Sequence, residues 1–455
     1  MPITPLAFVL TLGVLIVVHE FGHYQVARWC GVKVLRFSVG FGRVLWRRLS
    51  RDGVEFTLAL IPLGGYVRML DSREGEVPSD QMTQAFDRQP LRRRVAIVAA
   101  GPLANLALAV LLYAGAGWLG TLEAEPVLAA PPAGSLAEGA GLQAGDRVQS
   151  LSVGEGDWQA VRSITDLRRA LALAVLDRQS IQLAVSDAQG GHRRVAVLPL
   201  GQLGGAELDG PMVRRIGVGS PFSEPVLGRL EVGGPAARAG LHEGDRVLTV
   251  DGRPVADAQS LREAIRAAGA HAPDTMQWLV ERQGQRLSIS VTPRRVEDRE
   301  AGGTIGRIDA YVGQPPAMVM VRLGPLEGLR QAFHQTWDTA WTSLRMLGRM
   351  LVGQASLRQL SGPLTIADYA GQSIQMGLVP YLAFLAMISV SLGVLNLLPL
   401  PMLDGGHLIY YVFEGVTGHP VPDHWQAWLQ RGGAIVLLLM MSIALSNDVA
   451  RLLGL

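Results

Sequence analysis

Between Arg94 and Glu123, and again between Asp368 and Asp404, the chain carries no charged residue. A helix that crosses the hydrocarbon core of a bilayer needs about 20 predominantly apolar residues, and both stretches exceed that length. A third run, about Thr4 to Ala27, is uncharged until His19-Glu20, and a fourth, about Gly432 to Leu453, is uncharged to Asn447. These four read as membrane spans. Only 18% of residues are charged against 49% hydrophobic, where an ordinary soluble chain carries roughly 25% charged. That balance excludes a disordered chain, which needs low hydrophobicity and high net charge. The single cysteine, Cys30, excludes a disulfide scaffold. A net charge of +2 argues against nucleic acid as a partner, since such proteins carry a strongly basic footprint. The first run reads as a retained span rather than a signal peptide. No Lys or Arg precedes it, and His, Glu and His fall where a small-residue cleavage site belongs.

Lysine and arginine near span ends set orientation. Arg28, Lys33, Arg36, Arg43, Arg47, Arg48, Arg51, Arg92, Arg93 and Arg94 all lie between the first two runs. That segment is therefore expected on the cytoplasmic side of a bacterial inner membrane. The N-terminus, the long polar middle and the C-terminus then face the periplasm.

The middle repeats itself. Ala140-Gly-Leu-Gln-Ala-Gly-Asp-Arg-Val148 returns as Ala239-Gly-Leu-His-Glu-Gly-Asp-Arg-Val247. A spacing of about 100 residues means two copies of a small domain rather than a solenoid, whose periods are roughly 20–50. Around the second copy, alternating apolar residues bracket Gly and Asp turns, the mark of strands. Strands are expected at Met276–Glu281 and Arg286–Val291, and a helix over Ala258–Ala268. The pair resembles bacterial-type PDZ domains over 122–215 and 216–310, which implies binding of extended peptides or peptide C-termini at a sheet edge. A spacer or size-filter role accounts for the repeat equally well.

The chemistry lies in His19-Glu20-Phe21-Gly22-His23. On a helix, residues four apart share a face, so both imidazoles reach one metal, and Glu20 is placed to take a proton from an attacking water. Ionisable groups inside a span are costly and functional by default. At 1.5 Å per residue, His19 lies about 20 Å from the start of its span, on the cytoplasmic half. Catalytic zinc takes three protein ligands, so one more is needed at matching depth. Asp404, in Asn396-Leu-Leu-Pro-Leu-Pro-Met-Leu-Asp-Gly-Gly-His407, is the candidate, and His407 is a rival further toward the cytoplasm. Pro399 and Pro401 break the helix there, and Gly405-Gly406 frees the backbone.

With Asn396-x-x-Pro399-x-x-x-Leu403-Asp404-Gly405, Gly101-Pro-Leu-Ala-Asn105, Phe37-Ser-Val-Gly-Phe-Gly42 and Ile61-Pro-Leu-Gly-Gly-Tyr66, the chain resembles the site-2 protease family of intramembrane zinc metalloproteases along nearly its whole length. The resemblance implies that His19, His23 and Asp404 bind zinc and that Glu20 is the catalytic base. It implies a single-span membrane substrate, an anti-sigma factor already trimmed outside by another protease, with remnant signal peptides as a second class. Release of a cytoplasmic fragment then triggers an envelope-stress response. A membrane-anchored PDZ adaptor or chaperone with a non-catalytic metal site is the alternative. It explains the spans and the repeat, but not two His, one Glu and one Asp at one depth.

A buried substrate helix must unwind before attack, and its freed backbone then needs partners. Val54-Glu-Phe-Thr-Leu-Ala-Leu-Ile61, followed by Pro62-Leu-Gly-Gly65 and Tyr66-Val-Arg-Met-Leu70, is expected to form a membrane-dipping hairpin or sheet. Its edge at Phe56, Leu58 and Leu60 would pair with the substrate, and the Asn396 amide would hold substrate backbone. Phe333, Trp337, Trp341, Leu344 and Leu347 fall at helical spacing between Leu323 and Ser361, as in an amphipathic helix lying on the periplasmic membrane face. The expected fold is thus a multi-span α-helical membrane protein with four transmembrane helices, a membrane-associated β hairpin or sheet and two tandem periplasmic PDZ-like α+β domains. Expected boundaries are helix 1 over 1–30, β region 31–94, helix 2 over 95–121, linker 311–373, helix 3 over 374–407, cytoplasmic loop 408–431 and helix 4 over 432–455.

Overall fold

A computed structural model describes residues 3–73, 75–187, 190–203, 210–218, 220–269, 275–298, 303–351 and 362–452. The helices of ten residues or more are α1 (Ile3–Trp29), α2 (Leu91–Leu119), α3 (Ile164–Leu176), α4 (Ala258–Ala267), α5 (Pro325–Leu351), α6 (Pro363–Met376), α7 (Leu378–Leu397), α8 (Asp404–Thr417) and α9 (Asp423–Leu452). The chain forms two compact units, one of Met1–Thr121 with Arg322–Leu455 and one of Leu122–Val321.

In the first unit, Thr4–Trp29, Leu91–Leu119, Leu378–Leu397 and His424–Arg451 are long and apolar enough to cross a membrane. Helices α1 and α2 approach closely because small residues face each other. A Cβ on Gly22 would stand 2.8 Å from Ala104 Cβ and overlap the Ala100 carbonyl. Helices α7 and α2 meet the same way, with Gly393 facing Leu106 and Pro102. Close backbone approach of this kind drives helix association where lipid removes any hydrophobic drive. Thr11 and Tyr381 share a buried hydrogen bond of 3.0 Å between α1 and α7.

Residues expected as a loop, 408–431, instead hold most of α8 and the start of α9. The helix restarts as soon as Pro399 and Pro401 are passed, because the residues after Asp404 are again apolar at helical spacing. The amphipathic stretch forms α5, with one face against the bundle. Ala332 and Thr336, on one face of α5, are buried, and Ala340 packs on the core of α2 and α7. Leu323 meets Gly117, and Trp118 donates to the Pro325 carbonyl at 3.1 Å. Thus one face of α5 packs on two apolar helices, while Leu326, Leu329, Phe333, Trp337, Trp341, Leu344 and Met346 are exposed on the other side. The end of that stretch, through Ser361, lies outside the described residues, as do the last three residues expected in helix 4.

The β region is one sheet built from two long strands, β1 (Val34–Leu49) and β2 (Glu55–Met69). Both halves of β2 pair with β1. Val34, Phe37 and Val39 lie opposite Met69, Val67 and Gly65, while Val44, Trp46 and Leu49 lie opposite Ala59, Leu58 and Glu55. Phe37 and Val39 also lie beside Phe56 and Leu58, and there both numbers rise together, so that limb runs parallel. The expected hairpin of 54–61 against 66–70 does not form, because Val34–Val39 inserts between its arms. Among the described residues the outer strands of the sheet are consequently Val44–Leu49 and Gly65–Met69, whereas Phe56 and Leu58 are paired on both sides.

The second unit contains two sheets of equal topology. One runs Gln159–Ala160, Arg147–Val153, Ile181–Ser186, Arg194–Leu198. The other runs Arg253–Pro254, Arg246–Val250, Met276–Arg282, Gln285–Val291. Each packs one helix, α3 or α4, over its own apolar core, the first around Leu167, Leu171 and Leu183 and the second around Leu261, Trp278 and Val280. The repeated aspartates hold equivalent turns: Asp146 accepts from Gln143 N and Arg194, and Asp245 from His242 N and Arg282.

Candidate active site

Helix α1 presents His19 and His23 one turn apart on one face, with 3.2 Å between their Nε2 atoms. Asp404 arrives from α8. Its Oδ2 lies 3.1 Å from His19 Nε2 and 3.5 Å from His23 Nε2. Among the described residues these three form the one cluster able to hold a metal, with donor atoms all within 4.8 Å of one another. Local sequence explains the arrival. Helix α7 stops at Leu397, a tight turn follows with Leu400 N donating to Leu398 O at 2.7 Å, and Asp404 opens α8. Helix N-termini favour negative charge, so the carboxylate sits where its charge is supported. Gly405 and Gly406 are helical and are required for a different reason than backbone freedom. Any Cβ there would overlap the Leu398 and Leu400 carbonyls of the turn.

The surroundings orient these groups. The Ile97 carbonyl lies 2.8 Å from His23 Nδ1 and accepts its N–H, which directs Nε2 toward the cluster. Gly101 leaves room for both rings: a Cβ there would overlap His23 Nε2 and stand 2.8 Å from His19 Cε1. Asn105, one turn further along α2 and 1% exposed, faces His19 with 3.4 Å between Nδ2 and Nδ1. Glu20, 9% exposed, sits between the histidines in sequence and meets the sheet, where a Cβ on Gly65 would stand 2.8 Å from its Cγ.

His407, the rival ligand, lies outside the cluster, in edge contact with the Tyr410 ring at 5.9 Å between centroids. Asn396 sits half-buried in the last turn of α7. Phe56 packs with Tyr24 and Phe37 as part of a core, whereas Leu58 and Leu60 are exposed. Sequence reasoning missed the roles of Gly101, Asn105 and Gly65, although all three stand in the short motifs quoted above. For Gly101 and Asn105 the spacing in α2, four residues apart, was the available signal; for Gly65, in β2, there was none.

The profile of peptidase family M50 matches residues 7–440. The chain belongs to this family. It is 43% identical to a putative zinc metalloprotease of Ralstonia nicotianae, covering 99% of each chain. It is 41% identical to a putative zinc metalloprotease of Neisseria meningitidis, over 99% of this chain and 100% of the relative. It is 37% identical to the regulator of sigma-E protease RseP of Escherichia coli, over 98% of each. As an M50 member the protein is a metalloprotease of the inner membrane, its cofactor is zinc, and its apolar helices make it multi-pass. The donor set fits that metal: two imidazole nitrogens and one carboxylate oxygen would fill three positions and leave a fourth for the reaction, the pattern of catalytic zinc.

Proposed function

We propose that the protein is an intramembrane zinc endopeptidase in which His19, His23 and Asp404 hold the metal and Glu20 is the general base. The convergence of the two Nε2 atoms and Asp404 Oδ2 beside a buried glutamate carries this reading. Bound zinc supplies Lewis acidity, polarising the scissile carbonyl and acidifying water. Glu20 takes the proton of the attacking water and delivers it to the leaving amine. The Ile97 carbonyl holds the His23 ring in place while this happens.

The substrate class is a single-span membrane protein, an anti-sigma factor after a first periplasmic cut, with remnant signal peptides as a second class. The sigma-E role in the name of the Escherichia coli relative supports this. An unwound substrate segment adds to the outer strand at Gly65–Tyr66, the limb that touches Glu20, which replaces Phe56 as a docking position. Leu58 and Leu60 are exposed as well, Leu58 in the arm paired with Val39 and Trp46, nearer the opposite outer strand, and the Asn396 amide supplies a further backbone partner. The Arg-rich β region faces the cytoplasm, and the termini and the two PDZ-like repeats face the periplasm, where they bind peptide C-termini or filter substrates by size. The test is cleavage of a single-span substrate by reconstituted protein, with and without a zinc chelator, with product ends mapped. Chelator-sensitive cuts within the span are expected. Cuts outside it, or cleavage indifferent to the chelator, overturn the reading.

A further inference from the structure

Two histidines of one motif receive different support. His23 Nδ1 faces a carbonyl, an acceptor with no alternative. His19 Nδ1 faces a side-chain amide, the Asn105 group at 3.4 Å. In the orientation drawn, the amide nitrogen points at the ring and Asn105 Oδ1 is buried without a donor. If His19 binds a metal through Nε2, its proton resides on Nδ1, and two donors then oppose each other. The two ends of an amide have nearly the same shape and are told apart by their hydrogen bonds. The reverse orientation sets Oδ1 against Nδ1–H, an acceptor against a donor.

We propose that Asn105 is a positioning residue whose amide oxygen accepts from Nδ1–H of His19, fixing the ring in the tautomer that presents Nε2 to the metal. This rests on the ligand assignment proposed above. Three observations support it independently of activity. Asn105 is 1% exposed, so no bulk water substitutes for it. Its backbone carbonyl accepts from Ser389 Oγ at 2.7 Å, which pins this turn of α2 to α7. Gly101, one turn earlier on the same helix, clears the space both rings occupy. One helix face thus makes room for the histidines and orients one of them.

A packing role and a hydrogen-bonding role predict opposite orders for two substitutions. Leu has the same branched heavy-atom skeleton as Asn, with bulkier methyl groups and no acceptor, whereas Asp keeps an acceptor and adds a buried charge. Zinc affinity of the purified full-length protein in detergent, measured by chelator competition, reads this directly, with metal-free thermal unfolding as the control for folding. Outer-shell partners of metal-bound histidines typically contribute 10–100-fold in affinity. Asn105→Leu is expected to weaken zinc binding by roughly that factor, with Asn105→Asp within about tenfold of the parent and metal-free unfolding unchanged. Parent-like affinity in Asn105→Leu, or Asn105→Asp weaker than Asn105→Leu, overturns the proposal. If Asn105→Leu does not fold, Asn105→Asp decides alone, on the same side of tenfold. His19→Ala separates the two layers: retained zinc in that variant sinks the ligand assignment itself, while lost zinc with an indifferent Asn105 sinks only the positioning role.

Discussion

Asp404 and Asp245 are both aspartates held near basic groups, and their surroundings differ in one decisive respect. Asp245, fully buried in the second repeat, accepts from His242 N at 2.8 Å and from Arg282 Nε and Nη2 at 2.7 Å each. Every neighbour is an obligate donor, so the carboxylate is saturated and closes a turn. Asp404 faces two imidazole nitrogens, each able to donate or accept, and among the described residues no Lys or Arg pairs with it. A carboxylate ringed by ambivalent nitrogens gains most from a shared cation. Satisfaction by fixed donors marks a structural acid; confrontation with lone pairs marks a ligand.

Four experiments press on that contrast. The largest effect belongs to Asp404→Ala, expected to abolish stoichiometric zinc and all cleavage while the second unit unfolds as before; metal analysis of the purified variant reads the first and an activity assay the second. Glu20→Gln comes next. Cleavage should fall by about 10²–10⁴-fold, the range of a lost general base, with zinc content unchanged, so loss of metal in this variant would place Glu20 among the ligands instead. Asp245→Ala should leave cleavage per folded molecule intact but destabilise the second repeat by about 2–3 kcal/mol, because Arg282 loses its partner. Denaturant unfolding followed through buried Trp278 measures that. The smallest effect is on pH. Burial pushes the Asp245 carboxyl up, but Arg282 and the His242 N–H outweigh it and hold it below the usual range. Its contribution is therefore complete above the unfolded carboxylate pKa, near 3.9, and fades as pH falls through the lower folded value. The acid limb of the second repeat should flatten in Asp245→Asn, and an unchanged limb would assign it to other groups.

The clustering of His19, His23 and Asp404 was legible because its signals are local. A four-residue spacing on a helix puts His19 and His23 together whatever surrounds them, and Pro399 and Pro401 announce a break before Asp404. The sheet was legible only as strands. Apolar patterning marks Val54–Ile61 and Tyr66–Leu70 as extended, but pairing depends on which segment competes for each edge. Val34–Val39 wins the place between them. Helix α8 was hidden by the prolines before it, which end one helix without forbidding another. Asn105 was hidden because one Asn in an apolar run reads as an ordinary interhelical contact until the partner ring is known. The repeat shows the converse: its turns recur in sequence, yet Arg194 and Arg282 reach the matching aspartates from non-equivalent strands, a convergence no alignment of the two copies would suggest.

The bare Cα at residue 65 has one more implication. With strand backbone seated directly against the stem of Glu20, that side chain has no slack on that side, and the strand acts as its mechanical stop. Under the proposed function, a polypeptide that straightens or lifts this limb on arrival shifts the carboxylate as well, so docking and alignment of the acid–base group are a single event.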